Sequence, residues 1–177
     1  MTPPTSLTTR LSRRPLRDFL FFGLALAVFV LDQFTKTLIR EQLLPGQSVP
    51  EDGWFRLTHV TNTGAAFGLF TNQSMFLLVT TLVGLTAIVA YYVYPPVNTP
   101  YLTISLGLQL GGAIGNLVDR LRLGHVTDFL DFRIWPVFNV ADSAIVVGVC
   151  VLGFFLLWGD RFLAPAARPP DPETGTP

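Results

Sequence analysis

Apolar residues fill four long blocks of the chain, roughly Phe19 to Ile39, Met75 to Tyr94, Tyr101 to Leu117 and Phe138 to Trp158. A helix needs about 20 residues to cross the hydrocarbon core of a bilayer, and each block has that scale. "YPPVNTP" separates the second block from the third, because two adjacent prolines cannot continue a helix. The pattern predicts an all-α membrane protein with four transmembrane helices.

Polar positions collect in two connections on one side, Arg40 to Asn72 and Asp119 to Val137. In the first, "QSVPEDGWFRLTHVTNTG" sets β-branched and aromatic residues between turn formers, which predicts short strands at the membrane surface. "AAFGLF" follows and predicts a short amphipathic surface helix. There is no internal repeat. The ends, "MTPPTSLTTRLSRRPLRD" (1–18) and "APAARPPDPETGTP", are Pro-rich and polar and read as disordered tails around a membrane domain at 19–160.

Composition agrees. Of 177 residues, 14% are charged, against about 25% in a soluble domain. From Leu57 to Val118 there is no Asp, Glu, Lys or Arg, a gap no soluble surface tolerates. The net charge is zero, and beyond a short N-terminal cluster there is no basic run for nucleic acid. Cys150 is the only cysteine, so there is no disulfide framework; its apolar surroundings predict a buried small hydrophobe.

Arg13, Arg14 and Arg17 precede the first block as they would in a signal peptide, but that block runs past Asp32 without a small-residue cleavage site, which favours a retained span. Four spans put both termini on one side. Arg10, Arg13, Arg14 and Arg17 argue that this side is cytoplasmic. The whole-chain count adds little, with six basic residues in the tails and five in the opposite connections.

An ionised side chain inside a membrane pattern is costly unless paired or hydrated. In "LDQFTK", Asp32 and Lys36 stand four apart, so they share a helix face and can pair, as a structural ion pair or as the wall of a wet cavity. In "GGAIGNLVDRL", Gly111 and Gly115 form a small-xxx-small face for close helix approach. Asn116 and Arg120 share a face at the outer end of that helix and suit holding a substrate carbonyl, while Asp119 beside Arg120 reads as a local charge pair. "HVTDFLDFRIWPVFNVAD" carries Asp128, Asp131 and Asp142. The intervening "WP" lets the chain turn back, so Asp128 and Asp142 can reach one outer pocket. Two close carboxylates share a proton; one can then act as base on a water while the other donates to the carbonyl, which is peptide hydrolysis without a metal. From spacing alone, cation binding or simple hydration stays open, and Asp131 is the decoy.

Other chemistries lack their residues. There is no H-E-x-x-H, G-x-S-x-G, P-loop or G-x-G-x-x-G, and His59 and His125 are the only histidines. No cofactor or metal is expected. The rival from another class is a small proton- or ion-coupled transporter using Asp32, Lys36, Asp128 and Asp142 as a relay.

"LDQFTK", "TNTGAAFG", "GGAIGNLVDRL", "HVTDFLDF" and "FNVADSAI", in this order, resemble the lipoprotein signal peptidases (signal peptidase II), and only the tails fall outside. The resemblance implies a bacterial inner-membrane aspartyl endopeptidase with four helices, an extracytoplasmic β-cradle and a short surface helix at about Pro45 to Asn72. Its substrate would be a prolipoprotein already diacylglyceryl-modified, cut just before the modified cysteine with the lipid chains left in the membrane. By motif, Asp128 and Asp142 match the catalytic pair. Asp32, Lys36, Asn62, Gly64, Asn116, Arg120 and Asn139 match positions that support the pocket or contact substrate and globomycin-type cyclic-peptide inhibitors. Asp119 belongs to an equally recognisable motif; Arg120 beside it is expected to keep it ionised, which favours Asp128 as the first of the pair.

Overall fold

The computed structural model describes residues 15–64 and 73–163. In chain order these residues form α1 (Pro15–Gln42), β1 (Ser48–Val49), β2 (Arg56–Asn62), α2 (Gln73–Val93), α3 (Pro100–Leu123), β3 (Val126–Asp131) and α4 (Val140–Leu163). All four helices are long and apolar enough to cross a membrane. The expected surface helix at "AAFGLF" lies outside the described residues, as do most of both tails. α1 begins at Pro15, a residue suited to a first helical turn, ahead of the expected Phe19.

The helix ends follow their sequences. α2 stops at Val93, ahead of Pro95 and Pro96. Thr99 caps α3, its hydroxyl accepting from Leu102 N–H, and Pro100 takes the first helical position. Gly124, with φ of 77°, ends α3 in the left-handed conformation that glycine adopts freely.

α3 is the most buried helix and α2 the least. A glycine face seats α3 against α1: a methyl group at Gly111 would come within 2.5 Å of the Ala25 carbonyl oxygen. Its neighbour Gly112 meets α4 as closely: a methyl group there would come within 2.4 Å of the Ala141 carbonyl oxygen. Backbones in a bilayer pack through such contacts because lipid supplies no hydrophobic drive between helices. Outward, Phe19, Phe22, Leu26 and Val30 form an exposed apolar stripe on α1, as expected of a lipid-facing surface. Cys150 is exposed on α4, not buried as its surroundings suggested; it shares the outward stripe with Val146, Val147 and Val149.

The strands form one antiparallel sheet in the order β1-β2-β3. It sits where α1 and α3 end and α4 begins, with Phe129 of β3 packed on Ile39 and Leu43. β3 was not anticipated. Five of its six residues are buried, so the alternation of a half-exposed strand is missing from its sequence.

Candidate active site

Asp128 lies on β3, opposite Val60 of β2. Asn62, two residues along the same strand, donates its amide to Asp128 Oδ2 at 2.8 Å, and its own Oδ1 accepts the N–H of Gly64, which holds φ of 77°. Asp131 stands three residues beyond Asp128. Side chains alternate along a strand, so Asp131 points to the opposite face. There it is engaged by Arg56, accepts from Thr58 Oγ1 at 2.9 Å, and takes the Arg133 N–H at 2.8 Å. These hydrogen bonds hold its carboxyl below the usual range.

Beyond β3 the chain turns back, and Phe138 bridges to Leu130. α4 then opens with a capping box. Asn139 Oδ1 accepts the Asp142 N–H at 2.9 Å, and Asp142 Oδ2 accepts the Asn139 N–H at 3.3 Å. Asp142 therefore sits in the first turn of α4, tied to the cap through both its backbone and its side chain. The remaining amide of Asn139 donates to Asp128 Oδ1 at 2.6 Å. One asparagine thus links both carboxylates.

Asn116 on α3 completes the arrangement. Its Nδ2 donates to Asp142 Oδ1 at 2.7 Å, and its Oδ1 accepts from Lys36 Nζ at 2.8 Å. Lys36 pairs with Asp32 at 2.9 Å, as their spacing predicted, and with Asp119 at 3.3 Å. Asp128 is 1% exposed. Its carboxyl is pushed up to about 6, first by burial and next by the Asp142 charge, against the Asn62 and Asn139 amides.

All nine site residues expected from the sequence lie at this end of the helices, eight of them in one connected set of contacts with Asp128 and Asp142. Arg120 is the ninth. Its guanidinium reaches Thr81 on α2 at 3.5 Å, and with Asn116 and Asp142 it lines a cavity of about 710 Å³ walled by α2, α3 and α4. One expectation is corrected. Arg120 makes no ion pair with Asp119, whose cations come from α1: Lys36, and Arg40 at 3.7 Å. The Asp119 carboxylate is held by these two α1 cations, and Arg120 next to it feels its charge without pairing with it. Gln33 was also missed; its amide donates to Asp32, Asp119 and the Gly115 carbonyl. Arg40 continues the Asp32, Lys36 face by one more turn, a signal the sequence did carry. Among the described residues, no three His, Cys, Asp or Glu side chains gather as a metal site.

Four spanning helices with two linked carboxylates beside a largely apolar cavity define a membrane-embedded protein with the makings of acid–base chemistry. The model for signal peptidase (SPase) II matches residues 24–158. The chain is 53% identical to the lipoprotein signal peptidase of Moorella thermoacetica, over 77% of this chain and 92% of that one. Against the lipoprotein signal peptidase of Halothermothrix orenii it is 45% identical, over 74% and 90%. It also superposes on two bacterial membrane enzyme structures solved by the in meso method, with TM-scores of 0.69 and 0.70 at 29% and 31% identity. Those alignments cover 82% and 76% of this chain, and 91% and 90% of the others. The chain belongs to the signal peptidase II family. That makes it a protease of bacterial membranes and decides against the transporter.

Proposed function

We propose that this protein is an aspartyl endopeptidase that removes the signal peptide from diacylglyceryl-modified prolipoproteins, cutting just before the lipidated cysteine. The observation that carries the reading is the link through Asn139, which hydrogen-bonds Asp128 through its side chain and Asp142 through its backbone.

Burial favours a proton on Asp128, which leaves Asp142 as the base in this reading. Asp142 then takes a proton from a water as the water oxygen attacks the scissile carbonyl carbon. Asp128 gives its proton to the carbonyl oxygen, leaving a tetrahedral diol. On collapse, the proton held by Asp142 passes to the departing amine as the C–N bond breaks. A diol hydroxyl returns its proton to Asp128, and the pair regains its single proton. No step calls for a metal or cofactor.

The cavity suits the substrate. Ile88, Leu106, Ile145, Leu152 and Phe155 give it apolar walls for acyl chains, and Asn116, Arg120 and Asp142 provide a polar end for the peptide. Arg120 would hold a substrate carbonyl, or a globomycin-type cyclic peptide, beside Asp142. On this reading the protein lies in the inner membrane with both termini cytoplasmic and the sheet, with the active site, at the outer face.

The test is incubation of the purified protein with a diacylglyceryl prolipoprotein and with its unmodified precursor. Mass spectrometry should find the signal peptide released from the modified form, with the new N-terminus at the lipidated cysteine. An intact modified substrate, or cleavage at another bond, would overturn the reading.

A further inference from the structure

We propose that the buried triad Asp32, Lys36 and Asp119 is a brace that sets the spacing between Asp128 and Asp142, with Asp32 and Asp119 as positioning residues acting on the backbone beside each. The inference rests on the reading of Asp128 and Asp142 as the working pair.

Two backbone contacts carry it. Asp119 Oδ2 accepts the N–H of Thr127 at 3.1 Å, and Thr127 immediately precedes Asp128. Asp32 Oδ1 accepts the N–H of Ala141 at 3.0 Å, and Ala141 immediately precedes Asp142. Both acids meet on one ammonium, Lys36 Nζ, at 2.9 Å and 3.3 Å. A continuous path of three buried side chains therefore joins the peptide before one aspartate to the peptide before the other.

The third donor of Lys36 goes to Asn116 Oδ1, which also accepts from Asn139 Nδ2 at 3.3 Å. Turning the Asn116 amide over would set its NH₂ against both donors. Lys36 thus fixes which end of Asn116 faces Asp142. The ammonium is thus shared among two carboxylates and one amide oxygen.

The need for a brace follows from the fold. Asp128 is held in the sheet and Asp142 on a helix packed against α3, with a turn between them. The two carboxylates repel whenever both are ionised. The other charged groups around them are Asp32, Lys36 and Arg40 on α1 and Asp119 and Arg120 on α3; α2 carries none, and β2 contributes the neutral Asn62. A triad that served folding alone would affect stability and leave the pair's titration untouched.

The experiment uses the full-length detergent-purified protein. Asp119→Ala removes the acceptor for Thr127 N–H, and a misplacement of about 1 Å is worth about 10² in rate. The turnover rate should fall by about that factor, with KM and cyclic-peptide affinity unchanged. The two apparent pKa values of the pH–rate profile should also draw together, because coupling between carboxylates weakens with distance. Asp119→Asn offers one amide oxygen to both Thr127 N–H and Lys36, and should restore most of the rate and the wild-type profile. Thr127→Pro, on an edge strand, deletes the N–H without touching any charge. It should show the same loss and the same narrowing relative to Thr127→Val, and it keeps the test decisive where Asp119→Ala does not fold. A normal pH profile in Thr127→Pro, or an Asp119→Asn variant as damaged as a folded Asp119→Ala, would overturn the brace. Asp128→Asn run alongside separates the two claims: wild-type cleavage by that variant dismisses the underlying reading, whereas its inactivity with an undisturbed Thr127→Pro dismisses the brace alone.

Discussion

Asn139 joins two carboxylates that differ in surroundings, and the difference has a measurable consequence. Burial raises Asp128 from 3.8 to about 6, so the folded protein keeps its proton where the unfolded chain has lost it. Stability therefore falls as pH rises from 3.8 to about 6 and is flat above; that shift is worth about 3 kcal/mol. The difference in unfolding free energy between the wild type and Asp128→Asn should move by up to this amount across the window. Activity should likewise decline as pH rises through about 6, the apparent value belonging to the pair. An alkaline limb well above this, with no pH-dependent difference between the two proteins, would contradict the account. Arg120 gives a second prediction. It lines the cavity and makes no ion pair with Asp119, so under the proposed reading Arg120→Ala should weaken cyclic-peptide binding by about 10–100-fold, the loss of a charged hydrogen bond. The melting temperature should hardly change. Unchanged affinity with a lowered melting temperature would make Arg120 a helix stabiliser.

At the scale of elements, the helices were legible and the strand carrying Asp128 was not. Proline pairs, apolar length and the Gly111, Gly115 spacing are local signals, and each reappears where expected. β3 is buried on both faces, so "VTDFLD" shows no alternation, and only its pairing with β2 makes it a strand. That pairing also sends Asp131 to the face opposite Asp128, for a reason no spacing argument on a loop could supply. "NVAD" did carry a legible signal: Asn at the cap and Asp three residues later form a capping box, and this alone predicts that Asn139 and Asp142 touch. The partners of Asp119 were hidden because they come from α1, far off in sequence. Close helix approach gives the prediction at this scale. Gly111→Ala drives a methyl into the Ala25 carbonyl, and such overpacking costs about 1–3 kcal/mol. A lowered unfolding midpoint in detergent is expected; no change would mean that α1 and α3 are not held by backbone contact.

For the molecule as a whole, the arrangement separates two solvents. Apolar stripes and the walls of the cavity suit lipid, while the sheet, the capping box and the paired acids gather at one end of the bundle, which the proposed reading sets at the water interface. A lipid-modified substrate can leave its chains in the first and present its peptide bond to the second. The central claim is that Asp128 and Asp142 together do the chemistry there. It is tested most directly by intact-mass measurement of a diacylglyceryl prolipoprotein after incubation with wild type, Asp128→Asn, Asp142→Asn and the double variant, each confirmed as folded. The account predicts that each single variant loses roughly 10²–10⁴-fold in rate, that the double variant loses little more because the two act as a unit, and that Asp131→Asn still cleaves. Signal peptide released at the wild-type rate by either single variant would contradict it.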